Sequence, residues 1–274
     1  MEREKPMKRI RIVVWVGVVL SAVAVNASTL FSETFGSLSD GTAITTANTS
    51  FTYARTGTGA GAYLNAFNPG NLSGASGLLL ATSTSLTGLG ATNGSYGAFD
   101  VGTLQFSFHT PDSFGNANSL YVFVGSGNTF SGNSLFSSGD LTAGLAIVAG
   151  QLQTRNSLNA WENVGAPLTP DTSYDLSLVF NGSALAVSYG ADSVAAGTAD
   201  IWLNGALFGD DVSIRDAQST SAFRLYTTGS AADAPFEIDN VKLYDAAMPV
   251  PEPSSALLLL LGTCAALSRW LRKA

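Results

Sequence analysis

Cysteine and histidine are nearly missing from this chain of 274 residues, which has one of each, Cys264 and His109. A single thiol excludes an intrachain disulfide framework. It also lies in the apolar C-terminal run, where a small packing residue is the expected role. A single imidazole leaves little room for Ser-His-Asp chemistry, and no Gly-x-Ser-x-Gly elbow accompanies it. His109, beside Thr110-Pro111, is expected as a loop or surface residue and not as a base. Charge is scarce too, at 12% of residues. Between Ser28 and Val250 the basic residues are Arg55, Arg155, Arg215, Arg224 and Lys242, against 17 acidic ones, a formal balance of −12. Such a surface repels nucleic acid, and no basic groove with interleaved aromatics offsets it. The acidity suits the solubility of an apolar-rich domain. No helical period holds across the middle of the chain, and no fixed-period repeat supports a β-helix.

What is abundant is apolar surface, 46% of residues, concentrated at the two ends. Arg3, Lys5, Lys8, Arg9 and Arg11 precede an apolar run from Ile12 to Val25, and Val25-Asn26-Ala27 follows with small residues around the third position. The run falls short of the roughly 20 residues of a membrane span, so residues 1–27 are expected to be a signal peptide cut by signal peptidase between Ala27 and Ser28. At the other end Val250-Pro251-Glu252-Pro253 leads into Ser254 to Leu271, with Arg269, Arg272 and Lys273 closing the chain. As a helix that stretch is about 27 Å long, near the thickness of a bilayer core. Pro251 and Pro253 hold the chain before it extended, and the basic end belongs in the cytoplasm. Three parts result: 1–27, a domain at 28–248, and a sorting segment with a transmembrane helix at 249–274.

The last 25 or so residues closely resemble the PEP-CTERM sorting signal, in which a Pro-Glu-Pro motif, a membrane helix and a basic tail end an exported protein. Trp270 and Leu271 depart from the often purely Arg-rich tail. The resemblance implies Val250, Pro251, Glu252 and Pro253 as the sorting motif and an exosortase-type membrane enzyme as partner. It implies transient anchoring in the membrane, then the cell surface or matrix of a Gram-negative-type bacterium, often with exopolysaccharide.

The middle is written in strands. Leu104, Phe106 and Phe108 alternate with Thr103, Gln105, Ser107 and His109; Tyr174, Leu176, Leu178 and Phe180 repeat the pattern. Asn181-Gly182 predicts a hairpin from that run into Leu185, Val187 and Tyr189, and Asn204-Gly205 predicts another between 201–203 and 206–208. Further strands are expected at 30–35, 78–82, 120–124, 145–148, 223–226 and 236–244. The class is all-β, a sandwich. In element order it resembles a concanavalin A-like lectin/glucanase jelly roll, carried by Leu30 to Phe35, Tyr174 to Phe180, Ala199 to Phe208, and a closing Phe236-Glu237-Ile238-Asp239-Asn240-Val241-Lys242-Leu243-Tyr244. That resemblance implies first and last strands side by side in one sheet.

Retaining glucanases of that fold carry Glu-x-Asp-x-(x)-Glu on one strand. Glu237-Ile238-Asp239 supplies two acids, but Asn240, Val241 and Lys242 follow, so no catalytic residue is assigned and no enzyme is expected. Three function classes remain: a non-catalytic surface or matrix protein gripping extracellular polysaccharide, a degenerate glycan hydrolase, and a structural adhesin built on Gly- and Ser-rich loops. Trp161, Trp202, Tyr121 and Tyr226 are candidates for stacking on sugar rings or for the core. Along 236–244 the apolar parity switches, from Phe236 and Ile238 to Val241 and Leu243, so a β-bulge is expected at Asp239-Asn240. The resemblance then implies a structural Ca²⁺ near Glu33 and Asp239. The processing reading has a direct check. Intact-mass measurement of protein from the culture surface should give a start at Ser28 and an end near Pro251, and retention of both Met1 and Ala274 overturns it.

Overall fold

Two sheets form because the alternating runs each need one face out of water. In a computed structural model of the chain the described residues are 27–56, 62–68, 70–72, 74–80, 87–91, 96–114, 119–126, 139–228 and 235–249. The signal peptide up to residue 26 and Val250, Pro251, Glu252, Pro253 and the segment after them lie outside the described residues. Among those described there is no helix, and hence none long and apolar enough to cross a membrane.

Strand numbers follow chain order. One sheet, called A here, runs β15 (Ala206–Ser213), β14 (Thr198–Leu203), β11 (Ser173–Asn181), β6 (Val101–His109), β17 (Phe236–Tyr244), β4 (Ser76–Leu80) and β3 (Tyr63–Phe67), with β1 (Thr29–Glu33) also paired to β17. The other, sheet B, runs β10 (Trp161–Asn163), β9 (Gln151–Arg155), β8 (Leu141–Val148), β7 (Ser119–Gly125), β16 (Ala222–Thr228), β5 (Thr87–Ala91) and β2 (Tyr53–Arg55). A separate ribbon pairs β12 (Val187–Tyr189) with β13 (Asp192–Val194). Every pairing is antiparallel, and together they make an all-β sandwich.

The core lies between the sheets. Leu104, Phe106 and Phe108 of β6 and Leu176, Leu178 and Phe180 of β11 meet Leu120, Val122 and Val124 of β7 and Phe223 and Leu225 of β16. Phe31 of β1 bridges the layers, its ring 4.9 Å from those of Phe51 and Phe223. Burying each such ring contributes about 1.5–3 kcal/mol.

The closing strand spans 236–244 as its sequence pattern predicts, beside the opening strand. Its parity switch is resolved by a bulge: the register to β6 shifts between Asp239 and Lys242, and Asn240 takes φ 53°. Asn240 and Val241 together oppose Phe106, one extra residue, one position later than expected. At the same place β17 changes its other neighbour, from β4 at 236–238 to β1 at 241–244.

Of the two predicted Asn-Gly hairpins, one forms. Asn204 (φ 51°) and Gly205 (φ 76°) turn β14 into β15. At Asn181-Gly182 neither φ is positive, and β12 pairs with β13, not β11. The Asn181 amide is buried and donates to the carbonyls of Leu185, Val194 and Ala195, so it ties a loop down and turns nothing. Gly205→Ala should therefore destabilise by about 1–2 kcal/mol, the cost of a left-handed conformation for a residue with Cβ, measured by urea unfolding. An unchanged midpoint counts against the turn.

Candidate functional site

With the inward faces committed to the core, function must sit on the two outer faces. On sheet B the outward positions line up in register across the strands. One row crosses all seven: Arg55, Gly88, Tyr226, Tyr121, Ala146, Gln153, Asn163. The next runs Tyr53, Gly90, Arg224, Phe123, Gly144. At about 4.8 Å per strand the full row is roughly 29 Å long. The Tyr121, Phe123 and Tyr226 rings lie nearly parallel, with Tyr121 5.0 Å from Tyr226 and 6.1 Å from Phe123. Trp161 packs at 5.8 Å from Tyr121, with the Arg155 guanidinium 5.4 Å over its own ring. Tyr121 and Trp161 are half-buried, whereas Phe123 and Tyr226 are buried beside them. Gly88 and Gly90 are required in the floor: a Cβ on either would come within 2.7 Å or less of the β16 backbone.

Arg224 is the unusual member of this face. It is fully buried between two rings, 4.4 Å from Tyr53 and 5.2 Å from Tyr226. Nη2 donates to the Tyr53 hydroxyl at 2.7 Å, while Nε and Nη1 have no acceptor. Burial presses its pKa down and no carboxylate among the described residues acts on it, yet a guanidinium stays charged in a protein.

Three of the four aromatics named from sequence thus meet on one face. Trp202 does not join them. It lies beneath the β12–β13 ribbon with Val179, Tyr189 and Val194, and its Nε1 donates to the Tyr189 hydroxyl at 3.1 Å. That hydroxyl donates in turn to the buried Asp200 carboxylate, which also accepts the Asp211 N–H at 2.8 Å. Burial raises Asp200 above its ordinary range. Asp200, Asp210 and Asp211 bring one oxygen each within 4.8 Å of one another, but Asp200 already has its partners inside the protein.

Elsewhere on the outer face of sheet A, around Gln105, Ser107 and Asp175, the side chains are polar. A cleft of about 540 Å³ opens there, lined by Gln105, Ser107, Asp175, Asn204, Asn240 and Lys242 among others. Three of its polar groups, Ser107, Asp175 and Asn204, bond to one another. The Ser107 hydroxyl donates to Asp175 at 2.6 Å, and Asp175 N–H donates to the Asn204 side chain at 2.8 Å.

His109 corrects its expected place. It ends β6 and is 7% exposed, not a surface or loop residue. Nδ1 lies 3.0 Å from Ser173 Oγ and Nε2 3.2 Å from Asp171 Oδ1, a grouping that sequence spacing hides because Asp171 and Ser173 follow 62 and 64 residues later. The Ser173 hydroxyl also has the Asn71 carbonyl at 3.2 Å as acceptor, and Asp171 is exposed. The trio ties the ends of β6 and β11 to the chain near Asn71. Glu237, opposite His109, is held there as well, accepting from Asn71 N–H at 2.9 Å and Asn71 Nδ2 at 2.7 Å.

Glu33 and Asp239 come close enough to repel each other, as their strands' pairing requires. Glu33 accepts N–H bonds from Thr34 (3.0 Å), Phe35 (2.8 Å) and Ser50 (2.6 Å). Asp239 is buried and accepts one, from Asn240 at 2.7 Å. Glu33 is thus an anion cap for its loop. Asp239, with fewer donors, is the member whose oxygens suit a hard cation.

No protein-family model matches the chain, and no curated protein matches it in sequence. Among solved structures it is similar to an endo-β-1,4-glucuronan lyase from the fungus Trichoderma reesei, at TM-score 0.47 and 14% identity over 78% of this chain and 97% of that one. It is similar to domain 4 of AbnA, a GH43 extracellular arabinanase from Geobacillus stearothermophilus, in complex with arabinotriose, at 0.45 and 14% over 81% and 94%. The carbohydrate recognition domain of Emp46p, in its metal-free form, is similar at 0.44 and 12% over 62% and 82%.

Burial, with a smaller contribution from Glu33, lifts the Asp239 carboxyl from 3.8 to about 6, against the pull of the Asn240 N–H. The native state therefore favours the protonated acid. The stability this gives is complete below about pH 4 and is lost as pH rises through about 6, because the unfolded chain ionises first. Melting temperature should fall between pH 4.5 and 7, and Asp239→Asn should flatten that fall. Parallel curves for wild type and variant refute it.

Proposed function

We propose that this chain is an exported, non-catalytic glycan-binding protein whose concanavalin A-like jelly roll presents sheet B's outer face to polysaccharide at the cell surface. The observation that carries the reading is on the outer face of sheet B, where the half-buried Tyr121 and Trp161 rings pack 5.8 Å apart against the buried Phe123 and Tyr226. The apolar faces of sugar rings stack on partly exposed aromatic rings such as Tyr121 and Trp161. The hydrogen-bonding side chains Gln153 and Asn163 continue the row toward β10, with Gln153 Nε2 donating to Asn163 at 2.9 Å. The pairing of first and last strands supports the jelly-roll assignment. The Pro-Glu-Pro segment and the N-terminal signal support export and exosortase sorting.

A non-catalytic role is supported by the engagement of Glu237 with Asn71 and of the Ser173 hydroxyl with the Asn71 carbonyl. Calcium is part of the proposal only at Asp239. There it relieves the repulsion from Glu33, and adding it at pH 7 should raise the melting temperature of wild type but not of Asp239→Asn.

Affinity electrophoresis against a panel of polysaccharides tests the central claim. Tyr121→Ala and Trp161→Ala should each weaken retention at least about fivefold, about 1 kcal/mol, with reducing ends never released. Absence of binding to every polysaccharide, or equal retention of both variants, overturns the reading.

A further inference from the structure

The domain is acidic, yet its few cations are gathered. Of the five basic residues between Ser28 and Val250, three (Arg55, Arg155 and Arg224) stand on the outer face of sheet B, and the two cross-strand rows contain no Asp or Glu. Solubility does not account for this, since exposed lysines anywhere on the surface would serve it equally. Nor does folding. A buried charge without a counter-charge opposes the native state, and the other described residues give Arg224 two aromatic faces and one hydroxyl but no anion. Arg224 Nε and Nη1 carry three N–H hydrogens between them, none with an acceptor. Arg155 Nε, across the same face, is buried without an acceptor as well.

We infer that the glycan taken by this face is acidic, and that Arg224 receives the carboxylate of a uronate unit while the half-buried Tyr121 and Trp161 rings stack on the sugar. The inference rests on the glycan-binding reading above and adds the chemical class of the ligand. Three physical facts combine in it. A carboxylate supplies both the missing counter-charge and the missing acceptors, and a charged hydrogen bond is roughly twice as strong as a neutral one. The guanidinium is already positioned, its plane held between Tyr53 and Tyr226, so little side-chain entropy remains to be lost on binding. Tyr53 is half-exposed on the edge strand β2 and makes the one hydrogen bond to the guanidinium, so a turn of that ring is the shortest route for the ligand. Arg55 and Arg155 stand to either side along the platform, where successive acidic units of a polymer pass.

The repulsive field of the rest of the domain makes the selection sharper. An anionic polymer is turned away by the acidic remainder of the surface and accepted only where the arginines stand, which fixes where it lies.

The test compares polygalacturonate with its methyl-esterified form, the same backbone with its charge removed, using the purified protein in affinity electrophoresis and calorimetry. Wild type should bind polygalacturonate at least tenfold more tightly than the ester. Arg224→Gln should abolish that preference while still binding the ester. Arg155→Gln, at a half-buried position, should reduce the preference several-fold with an unchanged melting curve, and it keeps the inference testable if Arg224→Gln fails to fold. Equal affinity of wild type for the two polymers, or a full preference retained in Arg155→Gln and Arg224→Gln, overturns the acidic-ligand inference and leaves glycan binding standing. Binding of neither polymer, nor of any neutral one, overturns both readings.

Discussion

Sheet A is organised around one strand, β17, and that strand has to solve a parity conflict. In β17 the apolar residues Phe236 and Ile238 occupy one alternation and Val241 and Leu243 the other. All four are buried in the same core. A regular strand would put one pair in water, at about 3–6 kcal/mol in all, a large fraction of a domain's net stability of about 5–15 kcal/mol. The bulge at Asn240-Val241 removes the conflict, and its geometry then decides the neighbours. Before it β17 pairs with β4, after it with β1. The opening strand is thereby placed beside the closing one, Phe31 enters the core against Phe223, and the carboxylates of Glu33 and Asp239 are brought together. Fold, core and the pH-sensitive acid follow from one inserted residue.

Much of this is legible in the chain. The extent of β17, its parity switch and the Asn204-Gly205 turn can be read by counting along one strand, since side-chain alternation is a local property. Asn181-Gly182 misleads for the opposite reason. Its local preference for a hairpin is real, but Asn181 is recruited by carbonyls more than ten residues further on, and β11 finds its partners in β6 and β14. Trp202 misleads similarly, because the ribbon that covers it is a tertiary feature. The His109–Ser173–Asp171 group and the Arg224 site need residues from strands far apart in sequence, and no spacing rule brings Tyr53 to Arg224 across 171 positions. What sequence does give is the parity: Tyr121, Phe123, Arg224 and Tyr226 are the out-of-core members of their strands, and aromatics or an arginine there are the signal that a face has another use.

The two outer faces differ in what they leave unmet, and that difference locates function better than the size of a cavity does. Sheet A has the open cleft, but the Ser107–Asp175–Asn204 bonds already answer three of its polar side chains within the protein. A ligand entering there has to replace bonds of equal quality, for little net gain. Sheet B has a flat row of rings and an arginine with three N–H hydrogens unanswered. The native state carries that cost in the free protein, and a ligand that supplies the acceptor recovers it on binding. Stability given up at one residue is in this way converted into affinity and into choice of ligand, since a neutral sugar recovers less of it than a charged one. The same logic separates Arg224 from Asp200, an equally buried ionisable group. Tyr189 and the Asp211 N–H already answer Asp200, so its burial is closed within the fold and exerts no pull on a ligand.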